Sequence, residues 1–357
     1  MVACKIATMI LVFAGAGASK AVNPDQYPTT VEFFKRLPQH IRGDKLFRLA
    51  VEYLEAQNEE GCIIDIEQIL WLITELRDFN GTVSNASTIP GWFITENRFA
   101  IIGGRAHFDA REFAAIAGNV TVKIDSLVSD INKVVYELYA DQPTHDELAE
   151  NWVLLLANLK TLNDDIEIVT TNYDVVIEEA IRLTKAPVID GRSDGIRPIL
   201  DLNAWDLKDL DLEDRIGRLT KLHGSIDWIR GNGRIHVGFP MFQGEHDKHA
   251  IIYPGFKGVP SDPLFQQLHE YFHIALTKAD LVIFIGYAFR DQYINDILQR
   301  HLAPSAKILI LNPVLPSVPF PMGRFNHLEQ FFDRDGIRAL FHQIEDTRKI
   351  STTAGSD

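Results

Sequence analysis
The chain has 357 residues, 46% of them hydrophobic and 24% charged, which is enough for a large core and two domains or subdomains. Its 49 acidic against 35 basic residues argue against a nucleic-acid surface spread over the molecule, leaving room only for a local basic groove. Two cysteines, Cys4 and Cys62, exclude a disulfide framework and a four-cysteine zinc site.

The first element is Lys5–Ser19, KIATMILVFAGAGAS, an apolar run that ends on Gly15 and Gly17. It reads as a buried parallel strand feeding a tight turn, where glycine lets backbone N–H groups approach a bound anion. Lys20 stands where a G-x-G-x-x-G motif has its third glycine, so the dehydrogenase fingerprint is incomplete. The same residues also fit a secretory signal, or a strand and turn that bind nothing. Next, Thr29 or Thr30 caps a helix with Glu32 within reach; Val31, Phe33, Phe34 and Leu37 form its buried side and Pro38 ends it.

Over about 40–160 helical periods dominate. Ile66, Ile69, Leu70, Ile73 and Leu76 recur at three and four residues, as do Val134, Val135 and Leu138, and Val153–Leu162 forms a further apolar helix. Asn80–Val122 has no clear period. Strand signals then return. Ile166–Thr171 runs into Asn172, Tyr173 and Asp174, with a helix over Val175–Leu183. Arg218–Leu222 ends at His223-Gly224-Ser225. Asp280–Ile285 ends at Gly286-Tyr287-Ala288-Phe289-Arg290-Asp291, before a helix through Leu302. Lys307–Leu311 ends at Asn312-Pro313. Each apolar strand stops at polar or glycine residues, and in doubly wound sheets ligands collect at the carboxyl ends of the strands.

The expected fold is therefore α/β, a doubly wound parallel Rossmann-like sheet with a helical insertion domain. Residues 1–38 form the first part of the core, 39–160 the insertion and 161–345 the second part. Within the latter, 226–257 is a small loop module without zinc, and 346–357 is a disordered tail.

In this order, G-A-G-A-S, T-N-Y-D, L-H-G-S, G-Y-A-F-R-D and I-L-N resemble the sirtuin-like (SIR2) family, closest to its bacterial branch of antiphage NADases. The resemblance covers roughly 5–38 and 161–315. It implies NAD⁺ as substrate and cleavage of the bond between nicotinamide and ribose. Carried over by position, it implies that Gly15, Ala16, Gly17 and Ser19 hold the pyrophosphate. Asn172 would hold the nicotinamide ribose and its water, Asp174 the carboxamide, and His223 would be the catalytic base. Gly286 and Asn312 match positions on the phosphate and adenosine side, with Tyr287 and Asp291 as further polar candidates. A cleaved signal would remove the glycine loop, so the resemblance places it in the mature protein.

The residue types suit the chemistry. A neutral histidine near pH 7 takes a proton from a hydroxyl or a water, and an asparagine can donate and accept at once. Singly, each has a plainer reading: Asn172 as a turn residue, Asp174 as a helix cap, His223 as a core histidine, Arg290–Asp291 as an ion pair at a helix start. Three departures from the deacetylase pattern stand out. The cysteine zinc module is missing, and His246 and His249 with Glu245 and Asp247 read as a charged loop before they read as a metal site. The loop after Ser19 offers only Asn23-Pro24-Asp25, and Ala288 stands where the family has a hydroxyl.

The expected function is an NAD⁺ glycohydrolase that depletes NAD⁺ in antiphage defence, in the cytoplasm. Protein ADP-ribosylation or deacylation, and a non-catalytic NAD⁺ or ADP-ribose sensor, are the alternatives. Free hydrolysis would harm the host, so control by self-association or by a separate defence ATPase is expected. No membrane or direct nucleic-acid partner is expected.

Overall fold
A computed structural model describes residues 9–57, 64–74, 120–139, 141–162, 165–186, 188–193, 198–202, 217–231, 233–238, 249–252 and 262–353. In chain order, β1 (Met9–Ala14) leads into α1 (Ala16–Lys20), followed by α2 (Thr30–Arg36), α3 (Gln39–Arg42) and α4 (Lys45–Gln57). A helix α5 occupies 66–74. Then come α6 (Val120–Tyr139), α7 (His145–Ala149), α8 (Trp152–Leu162), β2 (Asp165–Thr170) and α9 (Val176–Thr184). The strands β3 (Val188–Ile189), β4 (Gly217–Lys221), β5 (Gly224–Gly231), β6 (Arg234–Val237) and β7 (His249–Ile251) precede α10 (Pro263–Lys278). The chain closes with β8 (Leu281–Ile285), α11 (Gln292–His301), β9 (Lys307–Leu311), β10 (Asn326–Leu328) and α12 (Arg334–Thr353).

These elements form two compact units. One gathers the described residues of Met1–Tyr27, Leu138–Ile252 and Phe256–Asp357; the other those of Pro28–Glu137. The boundaries fall near 27 and 138, where the sequence reading has 38 and 160. The earlier start of the second core segment is explained by α8, whose Trp152, Leu155, Leu156 and Leu159 are buried in the core cluster that covers the sheet.

The first unit holds a seven-stranded sheet of order β10-β9-β8-β1-β2-β4-β3. Every pairing in it is parallel, from Met9↔Asp165 to Ala14↔Thr170 on one side of β1 and from Ile10↔Leu281 to Ala14↔Ile285 on the other. In β1 apolar residues follow one another because both faces are covered. Ile10, Val12 and Ala14 join Ile168, Val176, Leu155 and Leu340 in one core cluster. Leu11 and Phe13 join Phe272, Leu276, Ile294 and Leu298 in another. Helices α8, α9 and α12 thus line one face, and α10 and α11 the other. The sheet is Rossmann-like, as the strand signals predict.

Strand 5 begins a second, antiparallel sheet of order β6-β5-β7, inside the stretch expected to be a loop module. Trp228, Val237 and Ala250 pack there against Phe265 and Leu268 of α10, which gives these strands a buried face. Helix α12 continues to Thr353, past the expected start of a disordered tail at 346; residues 354–357 lie outside the described residues.

The second unit is helical where it is described. Thr29 caps α2 in a capping box with Glu32, as the T-x-x-E spacing predicts, and Phe33 and Leu37 are buried. Ile66, Ile69, Leu70 and Ile73 are buried along α5, and Ile124, Leu127, Ile131 and Val135 along α6. Leu76 and most of Asn80–Val122 lie outside the described residues.

Candidate functional site
Parallel pairing brings the carboxyl ends of β1, β2, β4, β8 and β9 to one edge of the sheet. The chain runs outward from β1 through β2 to β4, then restarts on the opposite side at β8, so β1 and β8 flank the point where strand order reverses. Here the two glycine turns meet backbone to backbone. The Gly15 N–H donates to Ile285 O at 3.0 Å and the Gly17 N–H to Gly286 O at 2.9 Å. A Cβ on Gly17 would lie 2.8 Å from Gly286 O, and one on Gly286, at φ +59°, would lie 2.2 Å from Ala18 N. The glycines are required for this close approach before any ligand is considered. Gly286→Ala is expected to lower stability by about 2–3 kcal/mol, read as a shifted denaturant midpoint.

Asn172, two residues beyond the end of β2, ties its own turn to the glycine loop. Its Nδ2 donates to Gly15 O at 3.0 Å and to Ser19 Oγ at 2.8 Å. Ser19 is buried in α1, and its hydroxyl also bonds the Asp174 carboxylate. Asp174 Oδ1 accepts the Val176 N–H at 3.1 Å, which gives it the capping part of its plainer reading. Burial pushes the Asp174 carboxyl up, against the pull of the Lys221 ammonium. Tyr27, donating to Asp141 O at 3.0 Å, is pushed up by burial and then by Asp174, and stays protonated.

Lys221 is missed by the sequence reading. Its ammonium is buried in β4 and donates to the Asp174 carbonyl and, at 2.8 Å, to Glu178 Oε1. Arg192 extends this network, 3.0 Å from Asp227 Oδ2 and 2.8 Å from Asp190 Oδ2. The signal was present: a lysine in the strand run R-L-T-K-L requires a buried partner.

His223 follows β4 and is 3% exposed. Its Nε2 lies 3.2 Å from Asp291 Oδ2, and its Nδ1 is buried with no hydrogen-bond partner among the described residues. Its ring sits 6.3 Å from that of Tyr173, centroid to centroid, and Tyr173 is the neighbour of Asn172. Asp291 begins α11, accepting the Ile294 N–H at 3.1 Å. It reaches β4 from β8, across two intervening strands, a span of about 14 Å. The turn between carries Phe289 at φ +54°, a region that bulky residues avoid. Asn295 Nδ2 holds the Phe289 carbonyl at 2.8 Å, and the ring packs on Phe284 and Tyr287. Burial acts to raise the Asp291 carboxyl; the His223 contact and the Ile294 N–H outweigh it and hold it below the usual range.

Tyr287 has its ring in the aromatic cluster with Phe13 and Phe284, while its carbonyl accepts from Asn312 Nδ2 at 2.9 Å. Asn312, at the end of β9, therefore braces the glycine turn of β8. Ala16 opens α1, half-buried. Residues 166–313, from β2 to the end of β9, match the family model of the SIR2-like domain.

Over these residues the chain is similar to the SIR2-like domain.

Comparison with curated proteins finds no match. Among solved structures, the chain is similar to a Sir2 homologue in complex with NAD, at 12% identity over 95% of this chain and 91% of that one, with a TM-score of 0.42. It is similar also to Sir2 with a p53 peptide and NAD⁺, at 10% identity, 95% and 94% coverage and a TM-score of 0.41. At the carboxyl edge of the sheet two groups of residues stand out. Asn172, Ser19 and Asp174 form one hydrogen-bonded chain at the glycine loop; His223 and Asp291 form a second group beside it, joined through Tyr173. The pairing of Asp291 with His223, and the brace from Asn312, are not visible in the sequence. Of the residues weighed as metal ligands, Glu245, His246 and Asp247 lie outside the described residues, and the described residues hold no cluster of three or more metal-ligating side chains.

Proposed function
We propose that the chain is an NAD⁺ glycohydrolase, releasing nicotinamide and ADP-ribose. The observation that carries this reading is the buried Nδ1 of His223, a nitrogen without a hydrogen-bond partner among the described residues, on a ring 6.3 Å from that of Tyr173, the neighbour of Asn172. The similarity to the SIR2-like domain and the resemblance of the motifs support NAD⁺ as the substrate.

Cleavage breaks the bond between the ribose C1′ and the nicotinamide nitrogen. Nicotinamide leaves as a neutral molecule with the electron pair of the broken bond and a cation-like centre remains; a water attacks C1′, forming the new C–O bond and releasing one proton. His223 takes that proton, from the water directly or by way of a ribose hydroxyl. The pyrophosphate would lie along Gly15–Ser19. Both hydrogens of the Asn172 amide are committed to Gly15 and Ser19, so toward a substrate this side chain offers Oδ1, an acceptor for a ribose hydroxyl or a water. Asp174 supports that arrangement through Ser19.

Incubating the purified chain with NAD⁺ labelled in the adenosine half tests the reading. Equal amounts of free nicotinamide and free ADP-ribose are expected. Label on protein would replace hydrolysis with transfer, and tight binding without product would leave a sensor. Depletion of NAD⁺ in antiphage defence is part of the same proposal, as is control by self-association, which turnover per chain across a concentration series reads.

A further inference from the structure
Asp291 meets two demands at once. Its Oδ1 accepts the Ile294 N–H at the start of α11, and its Oδ2 lies 3.2 Å from His223 Nε2. Both side chains are buried, at 9% and 3% exposure. An ionised carboxylate is acceptor-only, so the ring nitrogen facing it carries the proton. The other nitrogen, Nδ1, then holds the lone pair, and it is a buried atom with no hydrogen-bond partner among the described residues. We propose that Asp291 is a positioning residue for His223, fixing the tautomer in which Nδ1 is the base and its lone pair faces the substrate. The proposal rests on the NAD⁺ cleavage reading for the identity of the proton taken; the tautomer stands on the geometry alone.

The surrounding groups are compatible with this. His269 of α10 has Nε2 3.3 Å from Leu222 O, a carbonyl, so that nitrogen is a donor. Burial and then the neighbouring His223 push His269 down to about 3, so it is uncharged near neutral pH. Tyr293 of α11 is pushed up by burial and then by Asp291, and stays protonated. Tyr173 presents its ring from the turn after β2. Neither His269 nor Tyr293 carries a charge that competes with Asp291 for the His223 ring.

Asp291→Asn is the discriminating variant. Asparagine caps a helix as well as aspartate does, so Oδ1 keeps the Ile294 N–H and the fold is retained. The remaining amide nitrogen then points an N–H at His223 Nε2, which forces the ring proton onto Nδ1 and removes the base. In protein labelled with ¹⁵N-histidine, the His223 ring, assigned by its loss in His223→Gln, is expected to show a protonated Nε2 in the parent and a protonated Nδ1 in Asp291→Asn. The variant's kcat is expected to fall by about 10²-fold or more, with KM for NAD⁺ within about threefold. A parent protein with the proton on Nδ1 would overturn the proposal. So would an Asp291→Asn enzyme that keeps its kcat, or one that loses activity through KM alone, which would make Asp291 a direct NAD⁺ contact. If the parent cleaves no NAD⁺, the function reading fails by itself, and the ring spectra still decide the tautomer.

Discussion

Replacing His223 with alanine is expected to lower NAD⁺ turnover by about 10²–10⁴-fold, roughly 3–5 kcal/mol of transition-state stabilisation. The loss belongs to the chemical step, because the proton acceptor disappears while the glycine loop stays as it was. Affinity for NAD⁺ is expected to change much less, since the pyrophosphate and adenosine contacts would lie at Gly15–Ser19 and around Gly286 and Asn312. Single-turnover rates and a binding titration on the same preparation separate the two quantities. Near-normal turnover in His223→Ala would refute the mechanism. Asn172→Ala is expected to behave differently, although the sequence suggests a purely catalytic role for both. The Asn172 amide holds Gly15 O and Ser19 Oγ together, so its loss loosens the loop as well as the ribose contact. Affinity and stability should fall along with turnover.

The five central strands are legible in the sequence because each is an apolar run with a polar stop, and burial on both faces leaves that pattern no other reading. Their common edge follows from parallel pairing, so Asn172, His223, Gly286 and Asn312 can be assigned to one end of a sheet before any coordinates. What joins them cannot. The His223–Asp291 contact links residues 68 apart, across two strands, and depends on a turn in which Phe289 takes a left-handed conformation. Nothing in G-Y-A-F-R-D announces that geometry. Local reasoning favours Arg290 as the partner because it is adjacent; the helix start instead aims Asp291 at β4. The antiparallel sheet was missed for a different reason. Gly231-Asn232-Gly233 separates Ile226 and Trp228 from Ile235 and Val237, which is a hairpin pattern, but the charged and histidine residues after it fit a loop equally well.

The largest effect on stability is expected at Lys221. In Lys221→Met the loss is about 3–5 kcal/mol, the range for removing one partner of a buried ion pair. The lysine is 2% exposed and its partner Glu178 7%, so water cannot take over the lost contact. Burial already pushes the Glu178 carboxyl up, with Lys221 pulling the other way and Asp227 adding to the rise. Without the ammonium the rise grows, and so does that of Asp174. A carboxyl whose pKa is raised in the folded state binds its proton there more tightly than in the unfolded chain. Its folded form is therefore least penalised at low pH, and stability is lost as pH rises from the unfolded glutamate value toward the folded one. The deficit of Lys221→Met against the parent protein should thus widen in denaturant melts as pH rises above the unfolded glutamate value. Arg192 does not compensate, because it lies 3.9 Å from Glu178 and is engaged by Asp227 and Asp190. A deficit that is small and independent of pH would mean that Lys221 is not the counter-charge of this cluster. The Asn172–Asp174 turn would then need another support, because Lys221 is also the donor to the Asp174 carbonyl.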